Sequence, residues 1–128
     1  IVDANADVHN LLVESDVICG GESSTTIESL ILGKRVILPM FLGFRNTDYF
    51  KQFPWRDHLD LFDVAENITE FENYFYDAMQ SQSTEISNED MMRRRELYLQ
   101  CFDDLTGNAI EKYTNTIINV INQRRVVQ

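Results

Sequence analysis

Residues 15–39 read SDVICGGESSTTIESLILGKRVILP, and this stretch decides the fold. Val17, Ile18 and Cys19 form a short apolar run that stops at Gly20 and Gly21. Glu22 to Thr26 is polar and rich in hydroxyls. Ile27, Leu30 and Ile31 then recur at i, i+3 and i+4, the spacing of a helix face. Gly33 stands where that helix should end, because a residue without Cβ takes the left-handed C-terminal conformation at no steric cost. Val36 to Leu38 is a second apolar run, closed by Pro39. Strand, helix and strand joined this tightly predict a βαβ unit with a right-handed crossover and parallel strands. Both strands are continuously apolar, as expected of a parallel sheet covered on its two faces.

The turn between Cys19 and Ile27 carries the chemistry. In an open parallel sheet, ligands gather beyond the C-terminal ends of the strands. A helix that starts there offers unpaired N–H groups and the positive end of its dipole, which suit a phosphate. Gly20 and Gly21 allow close approach of the backbone to a ligand. Ser23, Ser24, Thr25 and Thr26 add hydroxyls. Glu28, about one turn into the helix, could accept hydrogen bonds from the two hydroxyls of a sugar. The same residues serve equally as ordinary caps and as acidic partners of the dipole. Neither G-x-x-x-x-G-K-[ST] nor G-x-G-x-x-G occurs, which argues against a P-loop NTPase and a standard NAD domain.

Outward from this unit, Asp7 is placed to cap a short helix over Val8–Glu14. The segment from Met40 to Asp60 crowds Tyr49, Phe50, Phe53 and Trp55 together, with a short helix expected at Asp48–Phe53 and broken by Pro54. Two readings of these aromatics stay open: a lid packed on the domain's own core, or a surface that meets a partner or substrate. Leu61–Ala65 suggests a further strand. Thr69 is expected to cap a helix over Glu70–Gln80, with Phe71, Tyr74, Phe75 and Ala78 on one face. Ser81–Asn88 reads as a loop. Glu89–Asp103 reads as a helix with Met91, Arg95, Tyr98 and Phe102 in register. After a break at Asp104–Gly107, Asn108 is expected to cap a last helix that turns Ile110, Tyr113, Ile117, Val120 and Ile121 inward. Ile1–Ala4 looks like the end of a strand. The predicted class is α/β: a Rossmann-like parallel sheet flanked by helices, one domain over residues 1–128, its C-terminal third helical.

Composition narrows the partners. A net charge of -10 argues against nucleic acid, whose backbone is bound through clustered Lys and Arg. Arg93–Arg95 sits among acids and reads as a solvated helix face, and Arg124–Arg125 as a tail. No apolar run approaches the roughly 20 residues of a membrane span, and no signal-peptide pattern precedes the first elements. The chain opens on Ile1 rather than Met, so a fragment or processed chain is expected. Cys19 and Cys101 are read as core thiols in a reducing compartment. The histidines, His9 and His58, are too few for a zinc cluster, so no metal or cofactor is expected. The expected location is cytoplasmic, or peripheral to a membrane within a longer protein. The Asn67-Ile68-Thr69 sequon is taken as chance.

The stretch from Leu11 to Ile37 resembles the C-terminal lobe of GT-B glycosyltransferases, in particular surface-polysaccharide transferases, polyglycerol-phosphate polymerases and UDP-N-acetylglucosamine 2-epimerases. These families share an Ser-Asp-apolar strand, a Ser/Thr/Gly loop, an E-A-x-x-L-G-K-P segment and a second apolar strand. Gly107–Tyr113 is similar to the start of their closing helix. The resemblance implies that Ser23, Ser24 and Thr25 cradle the diphosphate of a UDP- or CDP-linked donor, with Gly20 and Gly21 beside it, and that Glu28 binds the ribose. It also implies that this chain is the C-terminal half of a two-lobe enzyme, that an N-terminal lobe supplies the acceptor site and catalytic base, and that the lobe alone has no turnover. Two positions depart from the pattern. Gly20 stands where retaining members often carry a second Glu, and Arg35 stands where Pro follows G-K. The alternative from a different class is a non-catalytic α/β interaction module that docks a protein through Tyr49–Trp55.

Overall fold

The computed structural model describes residues 5–80, 86–102 and 105–125, with Arg124 and Arg125 described by backbone alone. The expected strand end at Ile1–Ala4, most of the Ser81–Asn88 loop, and Asp103 and Asp104 lie outside the described residues. In chain order the elements are α1 (Val8–Glu14), β1 (Val17–Cys19), α2 (Ser24–Ile31), β2 (Arg35–Pro39), three 3-10 turns (Phe44–Asn46, Phe50–Gln52, Arg56–Leu61), β3 (Asp63–Ala65), α3 (Ile68–Gln80), α4 (Asn88–Cys101) and α5 (Ala109–Arg125). The result is a mixed α/β fold around a three-stranded parallel sheet of order β1-β2-β3, in agreement with the Rossmann-like class. Val17, Ile18 and Cys19 pair with Arg35, Val36 and Ile37. Ile37, Leu38 and Pro39 pair with Asp63, Val64 and Ala65.

The βαβ unit forms for the reasons its sequence suggested. Ile27 and Leu30 are fully buried on one face of α2, each contributing roughly 1.5–3 kcal/mol. Gly33 takes φ 72°. Its N–H donates to Leu30 O at 3.1 Å, and the N–H of Lys34 donates to Ser29 O at 2.9 Å, the paired bonds of a Schellman ending. Central strand β2 is buried on both faces. Val36 and Leu38 join Ile27, Leu30, Leu97, Phe53, Trp55, Leu61 and Phe62 in the main core. Ile37, of opposite pleat, is equally buried. Its neighbour in parity, Arg35, lies 6.0 Å from the ring of Tyr74 on α3, which covers that second face.

Tertiary context changed several expectations. Asp7 caps α1 as expected, its carboxylate accepting from the N–H of His9 at 2.9 Å. Asn67, not Thr69, caps α3: its side-chain oxygen accepts from the N–H of Glu70 at 3.0 Å, while the Glu70 carboxylate accepts from the N–H of Glu66 at 2.8 Å. Asn is the stronger cap, and Glu stands three residues after it. On α4 the inward residues are Leu97 and Arg94 rather than Arg95 and Phe102, which are exposed. Arg94 is therefore not part of a solvated face. Its guanidinium donates to Lys34 O at 3.0 Å and Leu30 O at 3.4 Å, so a cation closes the negative end of α2. Burial pushes its pKa down, against the pull of Asp90 and Asp63. Cys19 and Cys101 are exposed rather than core residues.

The aromatic segment links β2 to β3 through 3-10 turns instead of a helix. Phe53 and Trp55 are core residues, packed with ring centroids 5.0 Å apart. The self-packed reading therefore holds for them, and neither is free to dock a partner. Tyr49, at 53% exposure, remains at the surface.

α5 departs furthest. Ile110 is 83% exposed and Tyr113 70%, and Ile117, Val120 and Ile121 also face solvent. The sequence period located an apolar stripe correctly but cannot say what covers it. Arg124–Arg125, read as tail, completes this helix. No other element packs closely on α5 among the described residues. Ending the chain after Gly107 is therefore expected to leave the urea-unfolding free energy within about 0.5 kcal/mol of the full chain. A loss of several kcal/mol would place α5 in the cooperative core. No helix among the described residues is long and apolar enough to cross a membrane.

Candidate functional site

The site begins where β1 ends. The N–H of Gly20 donates to Ile37 O at 3.1 Å, extending the ladder by one residue. The chain then turns through Gly21 and Glu22 into α2. Two bonds converge on the Gly21 carbonyl: the N–H of Ser23 at 3.0 Å and the hydroxyl of Thr26 at 2.9 Å. Thr26 is 1% exposed, so its hydroxyl needs this acceptor. Gly20 is required by the same contact, since a Cβ there would stand 2.4 Å from Thr26 Oγ1. Ser29, also buried, donates back to Thr25 O at 2.5 Å.

The start of α2 is left open. Ser23 occupies the cap position without making a side-chain capping bond. Its hydroxyl instead pairs with Thr25 Oγ1 at 2.8 Å. The N–H of Thr26 reaches Ser23 O at 3.0 Å, whereas the N–H groups of Ser24 and Thr25 have no acceptor among the described residues. Ser24 and Thr25 lie four and three residues before Glu28, so each neighbours it on the helix surface. Glu28 is half-buried beside α1, with Oε2 3.7 Å from Nδ1 of His9.

Beside this turn lies a pocket of about 170 Å³, at the C-terminal ends of β1 and β2. It is lined by the Gly20–Glu22 turn, by Leu38, Pro39 and Met40 at the end of β2, and by Phe44, Tyr49 and Phe53 of the aromatic segment. The Tyr49 hydroxyl donates to the Glu22 carboxylate, joining two of the lining segments. Of the residues singled out in the sequence, Gly20 and Gly21 thus line the pocket. Ser23, Ser24, Thr25 and Glu28 flank it along α2 without contributing to its wall. Tyr49 and Phe53, read in the sequence as part of an aromatic segment and not tied to this turn, line the pocket too, and Glu22 and Phe44 are the functional candidates the sequence did not reveal. The Glu22–Tyr49 contact spans 27 residues, and no local pattern announces it. Neither His9 nor His58 lines the pocket. Cys19, at the end of β1, is no evident nucleophile, because partial burial pushes its thiol pKa up.

A larger open groove, about 1270 Å³, lies at the other end of the strands, between the Glu14–Val17 turn, the end of α3 and the start of α4. Its cations are already engaged: Arg35 with Asp63, Lys34 with Val13 O at 2.6 Å, and Arg94 with the α2 carbonyls. It lacks the open helix start and borders residues outside the described set, so size alone does not make it the site. No cluster of three or more metal-ligating side chains occurs among the described residues. The chain matches no family model, no curated protein and no solved structure.

Proposed function

We propose that this chain is the donor-binding lobe of a GT-B-type enzyme that uses a nucleotide-linked sugar or polyol. The observation that carries this reading is the uncapped start of α2, set at the C-terminal end of a parallel strand and bordering an aromatic-lined pocket. The open N–H groups of Ser24 and Thr25, with the hydroxyls of Ser23 to Thr25, would hold the diphosphate at the positive end of the helix. As the bond to the diphosphate breaks, charge grows on its oxygens, and fixed donors stabilise that charge with no reorganisation. Glu28, one turn further along the same face, would take the ribose hydroxyls.

The two departures from the family pattern have local causes. A glutamate at position 20 has no room beside Thr26. Arg35, in the place of the usual proline, forms an ion pair with Asp63 across β2 and β3. The exposed apolar stripe of α5 supports a companion: a face of this kind calls for cover, and a second lobe would provide both cover and the catalytic base. The same stripe is what an interaction module would offer, in place of the buried Trp55. Titration of the full chain with UDP and CDP separates the two. Donor binding is expected to shift the amide resonances of Gly21–Glu28 in an NMR spectrum. Resonances unmoved at millimolar nucleotide would leave the interaction module as the better reading.

A further inference from the structure

We infer that α5 pairs with α5 of a second copy of this chain, antiparallel and centred on Ile117, so that the protein associates with itself through its last helix. The inference goes beyond donor binding and does not rest on it. α5 is 17 residues long, about 25 Å, and no other element packs closely on it among the described residues. A helix of that length is marginal in water unless it buries an apolar face. The face is present. Ile110, Tyr113, Ile117 and Val120 recur at alternating steps of three and four, which is the seam of a coiled-coil pair. All four are exposed, and so are Ile118 and Ile121 beside them. The opposite side is dominated by Asn115, Asn119 and Asn122, not by the Lys and Arg of a helix that lies on a membrane surface. No residue of α5 lines the pocket, so a lobe that brings a catalytic base there need not cover this helix.

Charge complementarity names the occupant and sets its direction. Glu111 stands in the first turn of α5, and Arg124 and Arg125 in the last. In an antiparallel pair with Ile117 opposite Ile117, Tyr113 of each copy comes opposite Ile121 of the other. Position 111 of each copy then stands beside position 124 of the other, so acid meets base at both ends. The two helix dipoles also oppose each other. A parallel pair would set Glu111 on Glu111 and arginine on arginine. The antiparallel arrangement is isologous, the symmetry of most dimers, because one patch serves both copies.

The test is sedimentation velocity of the full chain over a range of concentrations, where reversible dimerisation is expected. Ile117→Asp puts a charge at the centre of the seam and should leave a monomer. The lobe should keep its unfolding midpoint in that variant, because α5 does not pack on it. Glu111→Arg, and separately Arg124→Glu combined with Arg125→Glu, should each weaken self-association on the order of tenfold. Mixing the two proteins should restore dimers, because each end of the mixed pair again sets acid against base. A wild type that stays monomeric into the high-micromolar range would overturn the inference and leave a different chain, such as a second lobe, as the cover of α5. A dimer that survives Ile117→Asp would place the contact elsewhere and overturn it too. Charge changes without effect, or without rescue on mixing, would overturn the antiparallel pairing. Nucleotide enters none of these readouts, so donor binding stands or falls separately.

Discussion

Trp55→Ala is expected to cost about 3–5 kcal/mol of folding free energy, a large share of the roughly 5–15 kcal/mol that holds a typical domain. Trp55 is 4% exposed and sits in the main core. Its ring centroid lies 5.0 Å from Phe53 and 6.5 Å from Phe62, so the alanine leaves a cavity walled by two rings that have lost their neighbour. Trp55→Phe should cost much less. It keeps an aromatic ring in place, and it removes an indole N–H that is buried with no acceptor among the described residues. Urea unfolding followed by circular dichroism ranks the three proteins. A Trp55→Ala midpoint equal to the wild type would mean that the ring is not in the core and would restore the docking reading of the aromatic segment.

That segment shows where the sequence stops speaking. Ser15–Pro39 was legible because each of its signals is local: apolar runs of strand length, helical spacing over Ile27–Ile31, and a glycine whose left-handed φ ends α2. The Asp7 cap was legible for the same reason. Residues 40–62 have no period, because 3-10 turns place side chains by where the chain must cross from β2 to β3. The burial of Phe53 and Trp55 is thus decided by β2, α2 and α4, which lie far from them in sequence. Arg94 misled for a related reason. A run of three arginines reads as solvent-facing, yet the α4 register turns the middle one onto the carbonyl end of α2. In the site, the hydroxyl-rich helix start could be read from local sequence, although not that Ser23 leaves it uncapped. The pocket wall could not, since it takes Phe44 and Tyr49 from a segment whose path local rules do not set.

The two adjacent glycines of the site are expected to behave oppositely when each is changed to alanine. At Gly20 the new Cβ would stand 2.4 Å from Thr26 Oγ1, so Thr26 has to rotate and its hydroxyl loses the Gly21 carbonyl. A buried hydroxyl left without a partner costs about 1–3 kcal/mol, and the displaced side chain disturbs the first turn of α2. Gly20→Ala should therefore lower both stability and nucleotide affinity. At Gly21 a Cβ meets no atom within 4 Å, and the residue is not among those with positive φ. Gly21→Ala should leave stability within about 0.5 kcal/mol of the wild type. Yet Gly21 lines the pocket, so the added methyl would project into the space the ligand needs if the backbone is approached closely there. The expected signature is nucleotide affinity reduced on the order of tenfold, the equivalent of one displaced contact worth about 1.4 kcal/mol, at an unchanged unfolding midpoint. Wild-type affinity in Gly21→Ala would show that the ligand does not come close to Gly21 and would confine the first glycine's role to making room for Thr26. Affinity lost without stability, at a position where the added Cβ meets no protein atom within 4 Å, points to a ligand at that wall.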